Sequence, residues 1–248
     1  ASNGVAVAAD AGLGGQDYDF LFVCAGGNPA AFRHGAAFAW LRRLARRGVR
    51  LGGVSGGPYL RARAGLLKGY RFTIHWEHAG ALIEEFPTLD LRRSLYEIDR
   101  DRLTCGGGTA PLDMMHRLIA QAHGGALATA VSEWFLQTQV REGAGPQRMA
   151  LRERLGVANA ALLRVVERME GALETPLTRA ELAQAGGLSL RQLERLFRRH
   201  LGHSLAEHYL RLRLDRARDL LRQTSLSVLE TALACGFSSA SHFSRRYS

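Results

Sequence analysis

Arg195 and Arg245 are the side chains whose type and spacing suggest the most chemistry. Each lies two residues after an apolar residue, Leu193 or Phe243, that a helix would turn inward. A guanidinium so placed presents a planar fork of donors that can grip guanine O6 and N7 with two bonds, worth about 1–3 kcal/mol of discrimination against the wrong base. The two arginines occupy equivalent places in a repeated construction. The first copy reads Leu182-Ala183-x-x-x-Gly187-Leu188-Ser189-x-Arg191-x-Leu193-x-Arg195-x-Phe197. The second reads Ala232-x-x-x-Gly236-Phe237-x-Ser239-x-Ser241-x-Phe243-x-Arg245, with one additional step between its Gly and its inward Phe. In both, a small Ala precedes by four residues a Gly able to take a left-handed turn. A Ser can then cap the next helix, whose apolar pair at i, i+4 faces inward. This is helix-turn-helix grammar, written twice.

The elements that must position these residues follow from capping residues and periodicity. Beyond residue 158 only helices are predicted, at 159–174, 178–185, 189–201, 204–223, 227–234 and from 239 onward. The reading helices would be 189–200 and 239–248. Their candidate DNA contacts are Arg191, Gln192, Glu194, Arg195, Arg198 and Arg199 on the first, and Ala240, Ser241, His242, Ser244 and Arg245 on the second. Arg198 and Arg199, nearer the helix end, suit phosphate, which positions without specifying. The competing reading is a solvated, salt-bridged face.

The chain has 248 residues and a formal net charge of +10. Basic character suits a polyanionic partner, although the near-absence of Lys (Lys68 alone) also fits a compositional bias toward Arg. No apolar run approaches the eighteen or so residues of a membrane span. Cys24, Cys105 and Cys235 are odd in number and widely spaced, which argues against a disulfide framework or a metal site and suits a cytoplasmic protein. With Ala1 first, no signal-peptide pattern and Ser248 inside an unfinished helix, the chain reads as a fragment open at both ends.

Residues 1–142 read as α/β. Strands are expected at 18–24, 49–54 and 72–74, with a hairpin of 95–99 and 103–105. Helices are expected at 32–47, from Ser55-Gly56-Gly57-Pro58 through 67, at 79–85 and at 112–123. Alternation of strand and helix predicts a parallel sheet. Residues 143–158, polar and basic with a Gly-Pro, are the expected linker to an all-helical domain at 159–248. At the carboxyl ends of such strands Gly26, Gly27, Ser55, His75, Trp76, Glu77 and Thr109 would gather. Helix N-termini there suit a carboxylate, and Trp76 could stack on a cation with Glu77 as counter-charge, so a zwitterionic amine or amino acid fits these groups. Alternatively Trp76 is core and Glu77 pairs with a neighbouring Arg.

The repeat resembles the arabinose-regulator (AraC) family of transcription factors, which implies two helix-turn-helix units held rigidly by a central helix with their second helices in successive major grooves. Residues 17–140 resemble the PfpI-like branch of the class I glutamine-amidotransferase superfamily, a flavodoxin-like fold. The motif Ser55-Gly56-Gly57-Pro58, then Thr73-Ile74-His75-Trp76-Glu77-His78, then Cys105-x-Gly107-Gly108-Thr109-Ala110-Pro111-Leu112-Asp113 is similar to GlxA-type regulators, close to those of carnitine, glycine-betaine and arginine catabolism. The resemblance implies an effector-responsive activator that binds a direct-repeat promoter site as a homodimer and works with RNA polymerase, without a cofactor. Enzymes of that superfamily carry a Cys nucleophile at the elbow and a His about twenty residues on. Ser55 and His75 stand there, so an amidase-like hydrolase is the alternative, weakened because a hydroxyl is far less acidic than a thiol.

Overall fold

The computed structural model describes residues 5–14 and 17–247. They form two compact units, divided between Arg148 and Met149. Ser248, expected in the second reading helix, lies outside the described residues.

In the first unit the strands β1 (Phe20–Ala25), β2 (Arg50–Ser55), β3 (Tyr96–Asp99) and β4 (Arg102–Cys105) form one sheet in the order β1-β2-β4-β3. β1, β2 and β4 run parallel, and β3 closes the edge antiparallel to β4 as the expected hairpin. Every residue of β4 is buried, as a strand with neighbours on both sides requires. Gly52 has no side chain because the Phe22 ring occupies that space. The expected strand at 72–74 is reduced to a single bridge between Phe72 and Leu91. Phe72 and Ile74 are buried, which produced the apolar alternation, but the Thr73 N–H donates to the Thr104 hydroxyl instead of a neighbouring backbone.

The helices of this unit are α1 (Gly35–Arg46), α2 (Gly57–Arg63), α3 (Trp76–Glu85), α4 (Ala110–His123) and α5 (Gly125–Trp134). α3 starts three residues earlier than its periodicity suggests, because His75 caps it: Nδ1 accepts the Glu77 N–H. α5 was not anticipated. After it, Asp113, buried to 1 %, accepts from Gln137 Nε2 at 2.9 Å and from Arg141 N and Nη2 at 2.8 and 2.6 Å, which pins residues 137–141 to α4.

The second unit is helical: α6 (Leu151–Leu155), α7 (Ala160–Glu170), α8 (Arg179–Gly186), α9 (Leu190–Leu201), α10 (Leu205–Gln223), α11 (Val228–Ala234) and α12 (Ala240–Tyr247). Thr178, Ser189 and Ser227 each form a capping box with the Glu or Gln three residues on. Each cap contributes about 1 kcal/mol and fixes where its helix begins. The core has two lobes. Leu162, Val165, Met169, Leu182, Leu193 and Phe197 surround α9, whereas Ala232, Cys235, Phe237 and Phe243 surround α12. α10 serves both, giving Leu205 and Tyr209 to the first lobe and Ala217 and Leu220 to the second. Its 19 residues span about 28 Å at 1.5 Å per residue, close to the ~34 Å that separates successive major grooves.

The boundary between the units falls inside the stretch read as linker, and that stretch is not free chain. The Gly143 carbonyl accepts the amides of Leu95 and Tyr96, and Gln147 is bonded within the first unit. On the other side α6 and the turn after it add Leu151, Leu155 and Val157 to the second unit's core.

Candidate nucleic-acid interface and ligand site

α9 buries Leu193 and Phe197 completely and turns its long polar residues outward. Arg191, Arg195, Arg198 and Arg199 are exposed. None of the four makes an ion pair or side-chain hydrogen bond among the described residues, whereas Arg154, Arg179 and Arg211 each pair with a carboxylate. These four arginines are therefore not tied into a salt-bridged network among the described residues. Basic side chains kept apart from internal acids leave their charge available to an external anion.

Two other expected contacts on α9 have structural employment. Gln192 Oε1 accepts both the backbone N–H and the hydroxyl of Ser189, completing the capping box. Glu194 accepts from Arg179 at 2.5 Å and from the Leu205 N–H at 3.3 Å, so it ties α8 and the start of α10 to α9. These residues orient the helix; the arginines face outward from it.

On α12, Phe243 is buried, and Ser241, Ser244 and Arg245 are exposed. Arg245 has no ion pair among the described residues. Ala240 and His242 are half-buried: the His242 ring packs against Phe237 with centroids 5.6 Å apart, and the His242 backbone N–H donates to the capping Ser239 hydroxyl. Arg246, which the repeat did not single out, is also exposed and flanks a groove with Arg213 and His242. Both turns have the required backbone, with Gly187 at φ 67° and Gly236 at φ 73°. Arg213 braces the second turn by donating to the Cys235 carbonyl at 2.7 Å and stacking over Phe237 at 4.0 Å.

In the first unit, parallel pairing brings the carboxyl ends of β1, β2 and β4 to one edge. Ala25 pairs with Ser55, the Gly56 N–H donates to Ala25 O, and the His75 N–H donates to Ser55 O at 3.2 Å. A side chain on Gly107 would lie 2.8 Å from the Ser55 Cβ. The exposed Gly26 and Gly27 continue from β1 at this edge, the same edge as Ser55, His75 and the β4–α4 turn. Ser55 has φ 58°, a left-handed conformation that costs a non-glycine residue about 1–2 kcal/mol. Gly57 must lack a side chain, because a Cβ would overlap the Val23 carbonyl. This is a sharp strand-to-helix elbow.

His75 Nδ1 accepts the Glu77 N–H at 3.3 Å, so that ring nitrogen is engaged in capping α3. Burial lowers the His75 pKa; Glu77 partly opposes this, and His78 adds to it. The Ser55 hydroxyl has no hydrogen bond among the described residues. Thr109 is exposed at the rim, with its hydroxyl accepting from Arg141 at 2.7 Å.

Trp76 is 41 % exposed and is not core. Glu77 lies 3.7 Å from His75, not against an arginine. Two residues not anticipated from sequence occupy this corner. Gln147 Oε1 accepts the Trp76 N–H at 2.9 Å, and its Nε2 lies 3.0, 2.8 and 2.7 Å from Thr73 Oγ1, Ile74 O and Ser94 O. Arg148 lies over the Trp76 ring at 4.4 Å. Nothing in local sequence marks a glutamine whose partners are more than fifty residues away.

Relatives among known proteins span both units. The family described as "Helix-turn-helix domain" matches residues 182–248. The chain is 48 % identical to the HTH-type transcriptional regulator GlxA of Rhizobium meliloti (strain 1021), covering 99 % of this chain and 76 % of that protein. It is 49 % identical to the HTH-type transcriptional regulator CdhR of Pseudomonas aeruginosa, covering 100 % of this chain and 74 % of that protein. Among solved structures, a THiJ/PfpI family protein from Pseudomonas syringae is similar at 22 % identity and a TM-score of 0.45, covering 68 % of this chain and 64 % of its own. At such identity over nearly the whole chain, the two outward arginine faces are those of a helix-turn-helix transcriptional regulator. The chain is a member of the AraC-type helix-turn-helix transcriptional regulators, alongside GlxA and CdhR.

Proposed function

We propose that this regulator is a cytoplasmic activator of amine or amino-acid catabolism. In this reading it binds a direct-repeat promoter site as a homodimer, with α9 and α12 in successive major grooves, and recruits RNA polymerase. The observation that carries the DNA reading is that Arg191, Arg195, Arg198, Arg199 and Arg245 are exposed and, among the described residues, without acidic partners on two serine-capped helices. Arg195 and Arg245 would read bases, and Arg198 and Arg199 would hold phosphates. Gly26, Gly27, Ser55, His75, Trp76, Glu77 and Thr109 would form the effector site, and a zwitterionic amine or amino acid matches it. Its carboxylate would take backbone N–H groups at a helix start, and its cation the Trp76 face. Effector binding would shift the balance between two poses of the readers, which requires different affinities for the two.

Footprinting on promoter DNA tests the DNA reading. Arg195→Ala and Arg245→Ala should each relax base preference at separate positions about one helical turn apart, by about 1–3 kcal/mol or roughly 5–150-fold. Unchanged preference in both variants would remove the assignment. Equal affinity of the parent protein for random and promoter DNA, with a steep salt dependence, would instead indicate a non-specific DNA-binding protein.

A further inference from the structure

The groups expected to receive the effector are already holding part of this chain. The first backbone N–H of α3, on Trp76, is among the orphan donors of a helix start and lies at the positive end of its dipole. Gln147 gives it an amide oxygen at 2.9 Å, where a carboxylate would sit. Arg148 places a delocalised cation 4.4 Å from the centre of the Trp76 ring, where the cationic end of a zwitterion would stack. An acceptor and a cation on consecutive residues reproduce the two ends of the proposed ligand. The surroundings are shaped to admit this segment. A Cβ on Gly106 would lie 2.7 Å from the Gln147 amide, and one on Gly143 would lie 2.9 Å from the Tyr96 carbonyl. Ser94, whose carbonyl takes the Gln147 N–H, is buried and its hydroxyl has no hydrogen-bond partner among the described residues.

We infer that residues 143–148 are an internal pseudo-ligand that an effector carrying a carboxylate and a guanidinium or quaternary ammonium must displace from Trp76. The inference rests on the effector site proposed above. Met149 opens the second unit, so the displaced residues are the stretch of chain leading directly to the DNA reader. Effector binding thereby becomes a change in the length and freedom of that connection. Competition of this kind lowers apparent affinity by the fraction of molecules whose site is open. The Gln147 bonds are numerous enough to hold the segment, yet Arg148 is exposed, a setting in which a cation–π contact is weak. The closed state is thus displaceable by a small molecule.

The test uses the full chain with L-arginine and trimethylglycine as probes, followed by calorimetry and amide hydrogen exchange. Gln147→Ala and Arg148→Ala should each bind at least one probe more tightly, Gln147→Ala by roughly tenfold if the parent site is open about a tenth of the time. Gln147→Ala should also speed exchange of the Trp76 amide without any probe, and in the parent protein the bound probe should speed exchange across 143–148. Arg148→Ala leaves the Gln147 bonds in place and removes the cation over Trp76, so it reports on competition even if Gln147→Ala folds poorly. A probe that binds parent and variants equally, with 143–148 unchanged in exchange, would overturn the pseudo-ligand while leaving the effector site standing. Failure of both probes to bind parent and variants alike would overturn the effector site and the pseudo-ligand with it.

Discussion

Individual residues in this protein divide into those that face outward and those that hold them in place, and residue type alone does not sort them. Gln192 and Glu194 flank Arg191 and Arg195 on α9, yet the first completes a cap and the second joins three helices. Their polarity made them plausible DNA contacts; the nearby Ser189, Arg179 and Leu205 N–H claimed them first. Ser55 shows the reverse case, in which a residue's backbone matters more than its hydroxyl. It adopts φ 58°, closed in by Gly107 and followed by a glycine that touches the Val23 carbonyl. Ser55→Gly should leave stability unchanged or raise it slightly, because relief of about 1–2 kcal/mol is offset by glycine's entropy of about 0.5–1 kcal/mol. Ser55→Val, with a β-branch at positive φ, should destabilise by about 1–3 kcal/mol. Chemical denaturation of the two variants decides it; a neutral valine would mean that the elbow relaxes.

At the level of elements, the two helix-turn-helix units share a grammar but differ in how tightly their turns are enclosed. Gly187 at φ 67° has open space where a Cβ would project, so Gly187→Ala carries only the left-handed cost of about 1–2 kcal/mol. Gly236 at φ 73° would put its Cβ 2.5 Å from Pro176 Cγ and 2.7 Å from the Leu173 carbonyl. Gly236→Ala therefore adds an overpacking cost of about 1–3 kcal/mol to the same backbone strain. Thermal unfolding should rank Gly236→Ala well below Gly187→Ala. Equal losses would show that the 173–176 loop yields freely. The asymmetry has a structural source: the second turn is packed against the 173–176 loop and braced by Arg213, whereas the first turn opens to solvent. Capping residues marked the helices of the second unit to within a few residues in the sequence, because a cap is satisfied by its own next turn. The 72–74 strand failed for the opposite reason, since its amide found a side chain on β4.

Across the whole molecule, stability is tied to pH through the His203 and His208 pair beneath α9. His208 is buried, lies edge-on to Phe197 at 5.6 Å and has Nδ1 3.3 Å from His203 Nε2. Burial and the neighbouring His203 lower its pKa to about 4, with Arg211 acting the same way and Glu170 opposing. The unfolded chain takes up this proton near the ordinary histidine value of about 6.5. The folded unit does so only near 4, so its stability is complete above about pH 6.5 and declines as pH falls toward 4. His208→Leu should flatten that part of the stability curve relative to the parent. An unchanged slope between pH 6.5 and 4 would assign the acid sensitivity elsewhere. By itself the sequence determined the double helix-turn-helix, its caps, its left-handed glycines and its outward arginines, because those depend on interactions three to five residues apart. It also placed the carboxyl edge of the sheet and the elbow at Ser55. Only the tertiary structure decided which polar residues were free and that Gln147 and Arg148 fill the corner beside Trp76. Those outcomes depend on side chains distant in sequence competing for the same few N–H groups and ring faces, and local pattern carries no record of that competition.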